Sequence, residues 1–472
     1  MSKEVESSLS ELGKELWRLC SYRFLFHEEN RAFCPPLLNC VQSLKSWITA
    51  NKVHWKEIRK AILENYQLVD GITCNAYGLP QKLAEEIAKK HLPQFELSFM
   101  NSELTEIDFA HFVISYALGV IFGRWDIRIP LGQSLKLKQT DPMDPLPIYP
   151  PGMLIGDSLS AKPKPYEMTN ENYLKARFIA NIIPLEREAK ILAISDSLYP
   201  LEISLNGILV GDYSRFDEQS PRDDIIRRVQ EVLGLIWGDQ SQTIEQEACQ
   251  ILGVSDLQDY FRRPSGFFQD HLKRYSKSRR KAPIYWPLST ASGSYTIWLY
   301  YHLLNDQTLY AAVNDYLEPK ISELERDLSR AEEKLKAASG RDASLLRDKI
   351  NNGRTLLAEL KDLRQEILRI AALPYKPDLN DGVIINAAPF HKLFRLRSWA
   401  EDTEEVWNKL EKGEYDWSHL AYVLWPDRVK EACRKDRSIA IAHGLEDLCQ
   451  TPAPSSSKGT SGKRGRRSRR AA

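Results

Sequence analysis

Apolar residues in the first part of the chain recur at steps of three and four: Leu9, Leu12, Leu16 and Leu19, then Leu38, Val41, Leu44 and Trp47. That spacing is the stripe of a helix with one buried face. Ala84 to His91 reads as a further short helix. Phe109 to Phe122 reads as the most apolar helix and the core of this region. Leu131 to Pro165 breaks the rhythm with seven prolines (Pro142, Pro145, Pro147, Pro150, Pro151, Pro163, Pro165) and has the composition of a linker. From Pro200 the period shortens to two. Leu201-Glu202-Ile203-Ser204-Leu205 alternates like a strand, and Asn206-Gly207 predicts a hairpin turn into Ile208-Leu209-Val210. Asp223 then opens a helix with Ile225, Ile226, Val229, Val232, Leu233 and Ile236 on one face. A second helix from Thr243 to Leu252 stops at Gly253.

Lys320 to Ala372 is long and charged. Ile321, Leu324, Leu328, Ala331 and Leu335 form one stripe, and Leu356, Leu360, Leu363, Ile367 and Ile370 form another, with Gly340 between the arms. This predicts an antiparallel helical hairpin projecting from the body, its charges a solvated face or a partner contact. Tyr375 to Leu448 is rich in tryptophan (Trp399, Trp407, Trp417, Trp425), and the tail after Pro452 is rich in Ser, Gly and Arg, a composition of disorder. The pattern predicts a mainly helical α+β protein: a helical domain over 1–130, a linker over 131–165, a mixed α/β region over 166–316, the hairpin over 317–373, a Trp-rich region over 374–450 packing on the mixed region, and the tail over 451–472.

Charge changes this picture in one respect. The 472-residue chain carries a net charge of +1, but the stretch from Thr451 holds seven cations and no acid, so the body stands near −6. A surface for a polyanion must therefore be a local patch. The start is acidic and has no apolar signal region. The longest apolar run, Phe112 to Phe122, is interrupted by Ser115, Tyr116 and Gly119 and falls far short of the roughly 20 residues that span a bilayer. Seven cysteines without a C-x-x-C pair indicate reduced, cytoplasmic usage.

The densest chemistry lies at Ser276-Lys277-Ser278-Arg279-Arg280-Lys281-Ala282-Pro283-Ile284-Tyr285-Trp286-Pro287-Leu288. Arg274, Lys277, Arg279, Arg280 and Lys281 stand close together with Lys273 just before, and Tyr285 and Trp286 follow. Cations at this density match phosphates, and rings beside them offer bases a surface to stack on. Ser289, Ser292 and Ser294 add hydroxyl donors, with Tyr295 next to them, and Gly293 allows close backbone approach. The same composition also fits a solvated basic loop followed by a buried strand, Ile284 to Leu288.

No catalytic centre stands out. Methylation of an adenine amine needs a Gly-rich cofactor loop and an N-P-P-Y or D-P-P-Y element, and neither string occurs; nor does a P-loop, G-x-G-x-x-G or G-x-S-x-G. Asp315, Glu318 and Lys320 imitate a metal-dependent nuclease, but Pro319 interrupts the strand it requires. Asp416 and His419, beside Trp417, have acid/base spacing, but a structural histidine packed on tryptophan is the better reading of them. His27, Cys34 and Cys40 match no common zinc spacing.

Several strings combine into a resemblance. They are Ile114-Ser115-Tyr116-Ala117-Leu118-Gly119 with Phe122-Gly123-Arg124-Trp125-Asp126, Pro150-Pro151-Gly152-Met153-Leu154, Asn206-Gly207-Ile208-Leu209-Val210, SKSRRKAPIYWPLS, SGSYTIWLYYH, DQTLYAAVNDYLEPK, YDWSHLAYVLWPDRV and DRSIAIAHGLEDL. From about residue 8 to 448 the chain resembles the C-terminal, target-recognition half of the BREX adenine-specific DNA methyltransferases of the PglX type. The methylase domain of that family is not found in this sequence. The resemblance implies a DNA-binding specificity portion in a phage-defence system, with S-adenosylmethionine and the chemistry on a separate methylase subunit and no cofactor in this chain. A truncated product of a fused gene would read identically, and a scaffold that assembles defence components without touching DNA is the alternative. On this reading Lys273, Arg274, Lys277, Arg279, Arg280 and Lys281 hold phosphates of double-stranded DNA. Tyr285 or Trp286 packs near sugar or base, Ser289, Ser292 and Ser294 donate to the backbone, and Arg124 is a contact or half of a structural ion pair.

Overall fold

A computed structural model describes residues 3–30, 33–38, 42–80, 82–83, 86, 104–132, 150, 152–154, 199–204, 206–214, 221, 223–277 and 280–449. The expected helix from Ala84 to His91, most of the proline-rich stretch, Arg279 and the basic tail lie outside them. The protein is a mainly helical α+β structure with a small antiparallel sheet. It divides into two compact units, Met1–Trp407 and Asn408–Ala472.

In the first unit α1 (Lys3–Ser21) packs on α2 (Leu44–Ala76) through Leu19, Ile58 and Ile62. α2 is far longer than the leucine spacing around Leu44 suggests. The centre is α3 (Glu106–Ile121), where every residue from Phe109 onward is buried. Thr105 starts it with a reciprocal cap: its hydroxyl accepts from the Asp108 amide, and the Asp108 carboxylate accepts from the Thr105 amide. Gly119 is required on α3 because a Cβ there would overlap the Trp125 ring.

β1 (Ile208–Asp212) pairs with β5 (Tyr295–Tyr300), and β5 pairs with β4 (Tyr285–Ser289), giving the order β1-β5-β4 with Ile208 opposite Leu299 and Tyr285 opposite Tyr300. The expected hairpin across Asn206-Gly207 does not form. The second edge of β1 is occupied by the segment at Asp223–Asp224, where the Val210 amide donates to the Asp223 carbonyl at 3.0 Å. Leu201 and Ile203 are instead buried beside the end of α3, where the Ser204 amide donates to the Ile121 carbonyl. Helices α4 (Ile225–Trp237) and α5 (Ser241–Leu252) pack on α3. Asp224 caps the first through the Arg227 amide at 2.9 Å, and Gly253, at φ +70°, ends the second. Two short helices, α6 (Leu257–Arg262) and α7 (Phe267–Arg274), lead to a two-stranded ribbon, β2 (Ser276–Lys277) with β3 (Arg280–Lys281).

After β5 comes a helix that begins as α8 (Thr308–Ala311), widens into a π segment (Ala312–Leu317) and continues as α9 (Glu318–Ala337). Pro319 accounts for the widening: it has no N–H to donate, and its ring crowds the carbonyl of residue 315. α9 and α10 (Gly340–Ala372) form an antiparallel hairpin. Glu318, Glu325 and Glu332 pair in descending order with Arg364 (3.0 Å), Lys361 (2.7 Å) and Arg354 (2.7 Å). Such exposed pairs contribute at most about 1 kcal/mol each, so the buried seam of Leu324, Leu328, Leu356, Leu360 and Leu363 holds the arms together. The chain continues through α11 (Val383–Ala387) into α12 (Arg397–Lys412), which runs across the boundary between the units.

The second unit contains α13 (His419–Leu424), α14 (Pro426–Lys435) and α15 (Arg437–His443). Arg428 organises it, donating to the buried Asp416 carboxylate and to the Leu410 and Glu411 carbonyls while lying 4.3 Å over Trp425. The Asp416 carbonyl in turn accepts from His443 at 2.7 Å. Asp416 is thus the counter-ion of an arginine, and His419 stacks edge-on against His443 at 5.8 Å.

Candidate nucleic-acid interface

The ribbon of β2 and β3 brings Lys277 directly opposite Arg280. At its base the Ala282 amide donates to the Tyr275 carbonyl at 3.1 Å. Both side chains are exposed. Lys277 lies 3.9 Å from Glu29, and Arg280 has no acidic partner among the described residues. Lys273, on the last turn of α7, is also exposed and 3.6 Å from Asp270. Lys281 is partly covered and bound to Asp402 on α12. The cations therefore form a local positive tip ringed by carboxylates.

The base of this tip rests on a buried polar cluster. Arg124, just after α3, donates to the Glu28 carbonyl at 2.9 Å and to the Tyr275 hydroxyl, with its guanidinium 4.3 Å over Trp125. The Glu28 carboxylate, 1% exposed, accepts from Ser115 and from Trp125 Nε1 at 3.2 Å. Arg274 donates to the carbonyls of Phe26 (2.8 Å) and Asp108 (3.0 Å). His271 lies between α7 and β4, where Nε2 accepts from the Ile284 amide at 2.9 Å. Nδ1 therefore carries the proton. His111 Nδ1 sits 2.8 Å from the Tyr260 hydroxyl, which donates to Asp270 at 3.0 Å. Burial above all holds both imidazoles well below their usual range. The charges of Arg124 and Arg274 add to it at His271, and those of Arg274 and His271 at His111.

Several sequence expectations are corrected here. Tyr285 and Trp286 do not offer rings to a ligand, because both are completely buried. Tyr285 packs on His271 at 4.9 Å and Phe122 at 5.5 Å, while Trp286 packs on Tyr301 at 5.2 Å and donates to the Pro283 carbonyl. β4 is covered on both faces, which is why its sequence is a continuous apolar run without alternation. Tyr295 is likewise buried. Arg124, bound to the Glu28 carbonyl and the Tyr275 hydroxyl, and Arg274, bound to the Phe26 and Asp108 carbonyls, belong to the frame rather than the surface. Ser289 shares a hydrogen bond with Thr296 at 2.9 Å. Ser292 is exposed but donates to Glu359, and its Oγ lies 2.8 Å from that of Ser294. Of the cations in the run, Lys273, Lys277 and Arg280 remain exposed; Arg279 lies outside the described residues.

The imitation of a nuclease also separates. Lys320 is buried against Asp212 at 2.6 Å, Glu318 pairs with Arg364, and Asp315 is exposed. No cluster of three or more His, Cys, Asp or Glu side chains among the described residues is arranged to hold a metal ion. His27 pairs with Glu29 at 3.0 Å, and burial pushes the Cys34 thiol up to about 11. Among the described residues no helix is long and apolar enough to cross a membrane.

No protein-family model matches the chain. Over 189 residues, 38% of its length, the chain is 28% identical to the adenine-specific methyltransferase BrxX of Escherichia coli O9:H4 (strain HS). The match spans 15% of that protein's length. This likeness relates the chain to a BREX-type adenine-specific methyltransferase.

Two measurements follow from the buried cluster. Arg124→Met leaves the Glu28 region without its cation, and the loss of one partner of a buried charged network costs about 3–5 kcal/mol. A thermal or urea melt showing a loss under about 1 kcal/mol contradicts the assignment. The histidines predict a pH dependence. Their folded values lie below the unfolded value of about 6.5, so the unfolded chain takes up protons first. Their contribution is fully present above that value and is lost as pH falls below it, by up to about 1.4 kcal/mol per pH unit for each histidine. Urea titrations at pH 7.5, 6.5 and 5.5 test this, and equal midpoints at all three overturn it.

Proposed function

We propose that the chain is a DNA-binding specificity portion of an adenine-specific methyltransferase system of BREX type, active in the cytoplasm in phage defence. It positions duplex DNA, while S-adenosylmethionine and methyl transfer belong to a methylase domain, on a partner subunit or elsewhere in a longer chain. The observation that carries this reading is the β2–β3 ribbon. Lys277 and Arg280 face each other at an exposed tip whose base is anchored in the core, beside Lys273. Two cations at the end of a short ribbon are suited to straddling a phosphate backbone, which sets register without reading sequence. The similarity over 189 residues to an adenine-specific methyltransferase supports the setting, and the absence of an adenine-methylase motif from the sequence supports the division of labour.

Neutralising phosphates releases counterions, so affinity falls steeply with salt. The double variant K277A/R280A is predicted to bind a fluorescent duplex at least about tenfold more weakly than the parent chain at low salt, with the slope of log K against log salt reduced by about two. Fluorescence anisotropy between about 50 and 200 mM salt reads both quantities. Unchanged affinity and slope would exclude the ribbon as the contact and favour a scaffold that assembles other components.

A further inference from the structure

We propose that the β4–β5 turn, with Arg262 and Arg395, forms a second phosphate subsite for the same duplex, and that Glu359 competes with phosphate there. This rests on the reading above and extends it to residues far from the basic run. Arg262 is the last residue of α6 and Arg395 lies just before α12; Arg395 reaches the turn at 290–294, and Arg262 lies beside Arg395. Arg395 lies directly on Gly293: a Cβ there would overlap the guanidinium, and the backbone at φ +68° favours glycine independently. Arg395 Nη1 donates to the Arg262 carbonyl at 3.0 Å, closing the end of α6. The Arg262 side chain is exposed and has no acidic partner among the described residues, whereas its neighbour Arg263 is bound to Asp259 at 2.6 Å.

Two guanidiniums brought together repel. Burial first, then the charge of Arg262, make the protonated form of Arg395 less favourable than usual, and Glu359 offsets this in part. Glu359 comes from α10, and its carboxylate is held by the Ser292 amide at 3.3 Å and the Ser292 hydroxyl. An N–H and an O–H converging on an oxyanion are the donors that a phosphate takes from a turn. The turn therefore already holds one anionic group, and two arginines against one carboxylate leave an excess of positive charge for another.

The position suits the same ligand. Eight residues lie between the ribbon and this turn, five of them in β4, which alone covers roughly 17 Å, or about five base-pair rises of 3.4 Å. The stretch from Arg395 into α12 touches both ends: Asp402 binds Lys281 at the ribbon, and Arg395 sits on Gly293 at the turn.

Two exposed or half-exposed side chains test the subsite without removing the Arg395 cap. Measured by anisotropy on the full chain with a duplex of about 20 base pairs, Arg262→Ala is expected to weaken binding about threefold or more and to reduce the salt slope by about one. Glu359→Gln, which removes a competing carboxylate, is expected to tighten binding about twofold or more with the melting temperature unchanged. Unchanged or weakened binding in Glu359→Gln, or unchanged binding in Arg262→Ala while K277A/R280A loses affinity, overturns the subsite and leaves the ribbon reading standing. Loss in Arg262→Ala with K277A/R280A unaffected keeps the subsite and removes the ribbon. No duplex binding by the parent chain overturns both.

Discussion

Arg124 and Glu28 are taken out of water at the point where three separate stretches of the first unit meet. The guanidinium satisfies the Glu28 carbonyl and the Tyr275 hydroxyl, while the Glu28 carboxylate is satisfied from α3 and from Trp125. A buried charge left without such partners costs several kcal/mol, so the network tolerates few alternative arrangements. It ties the segment before α2, the end of α3 and the residue that opens the β2–β3 ribbon into one frame. Arg274 strengthens the same junction from the end of α7. The exposed tip inherits its position from these contacts.

That arrangement separates two kinds of cation that composition alone cannot tell apart. Arg124 and Arg274 spend donors on carbonyls and the Tyr275 hydroxyl inside the frame, whereas Lys277 and Arg280 project from it. Around the tip, Glu29, Asp270 and Asp402 temper the positive field. This agrees with a body that is negatively charged outside the tail, where positive surface is local.

Much of the helical framework was legible from spacing. The stripes of α4, α9 and α10 announce themselves because one rhythm runs through each, α3 shows itself by an almost unbroken apolar run, and Gly253 marks an end by its left-handed backbone. The sheet was harder to read. Leu201 to Leu205 alternates like a strand, yet Leu201 and Ile203 pack beside α3, since alternation records which side chains are buried and not what the backbone pairs with. Tyr285 and Trp286 suggested stacking surfaces because an apolar run next to cations looks the same whether it lies on a surface or between two layers. The ribbon cations were visible as a charge run. Arg262, Glu359 and Arg395 were not, because they converge from distant parts of the sequence, and only the glycine at 293 hinted at a close approach.

The most direct test of the account is the affinity for duplex DNA, as a function of salt, of the chain ended after Cys449. Binding that persists without the seven-cation tail, and falls linearly in log K against log salt, is the result predicted for a contact made by the folded body. Binding that disappears with the tail would contradict the central claim.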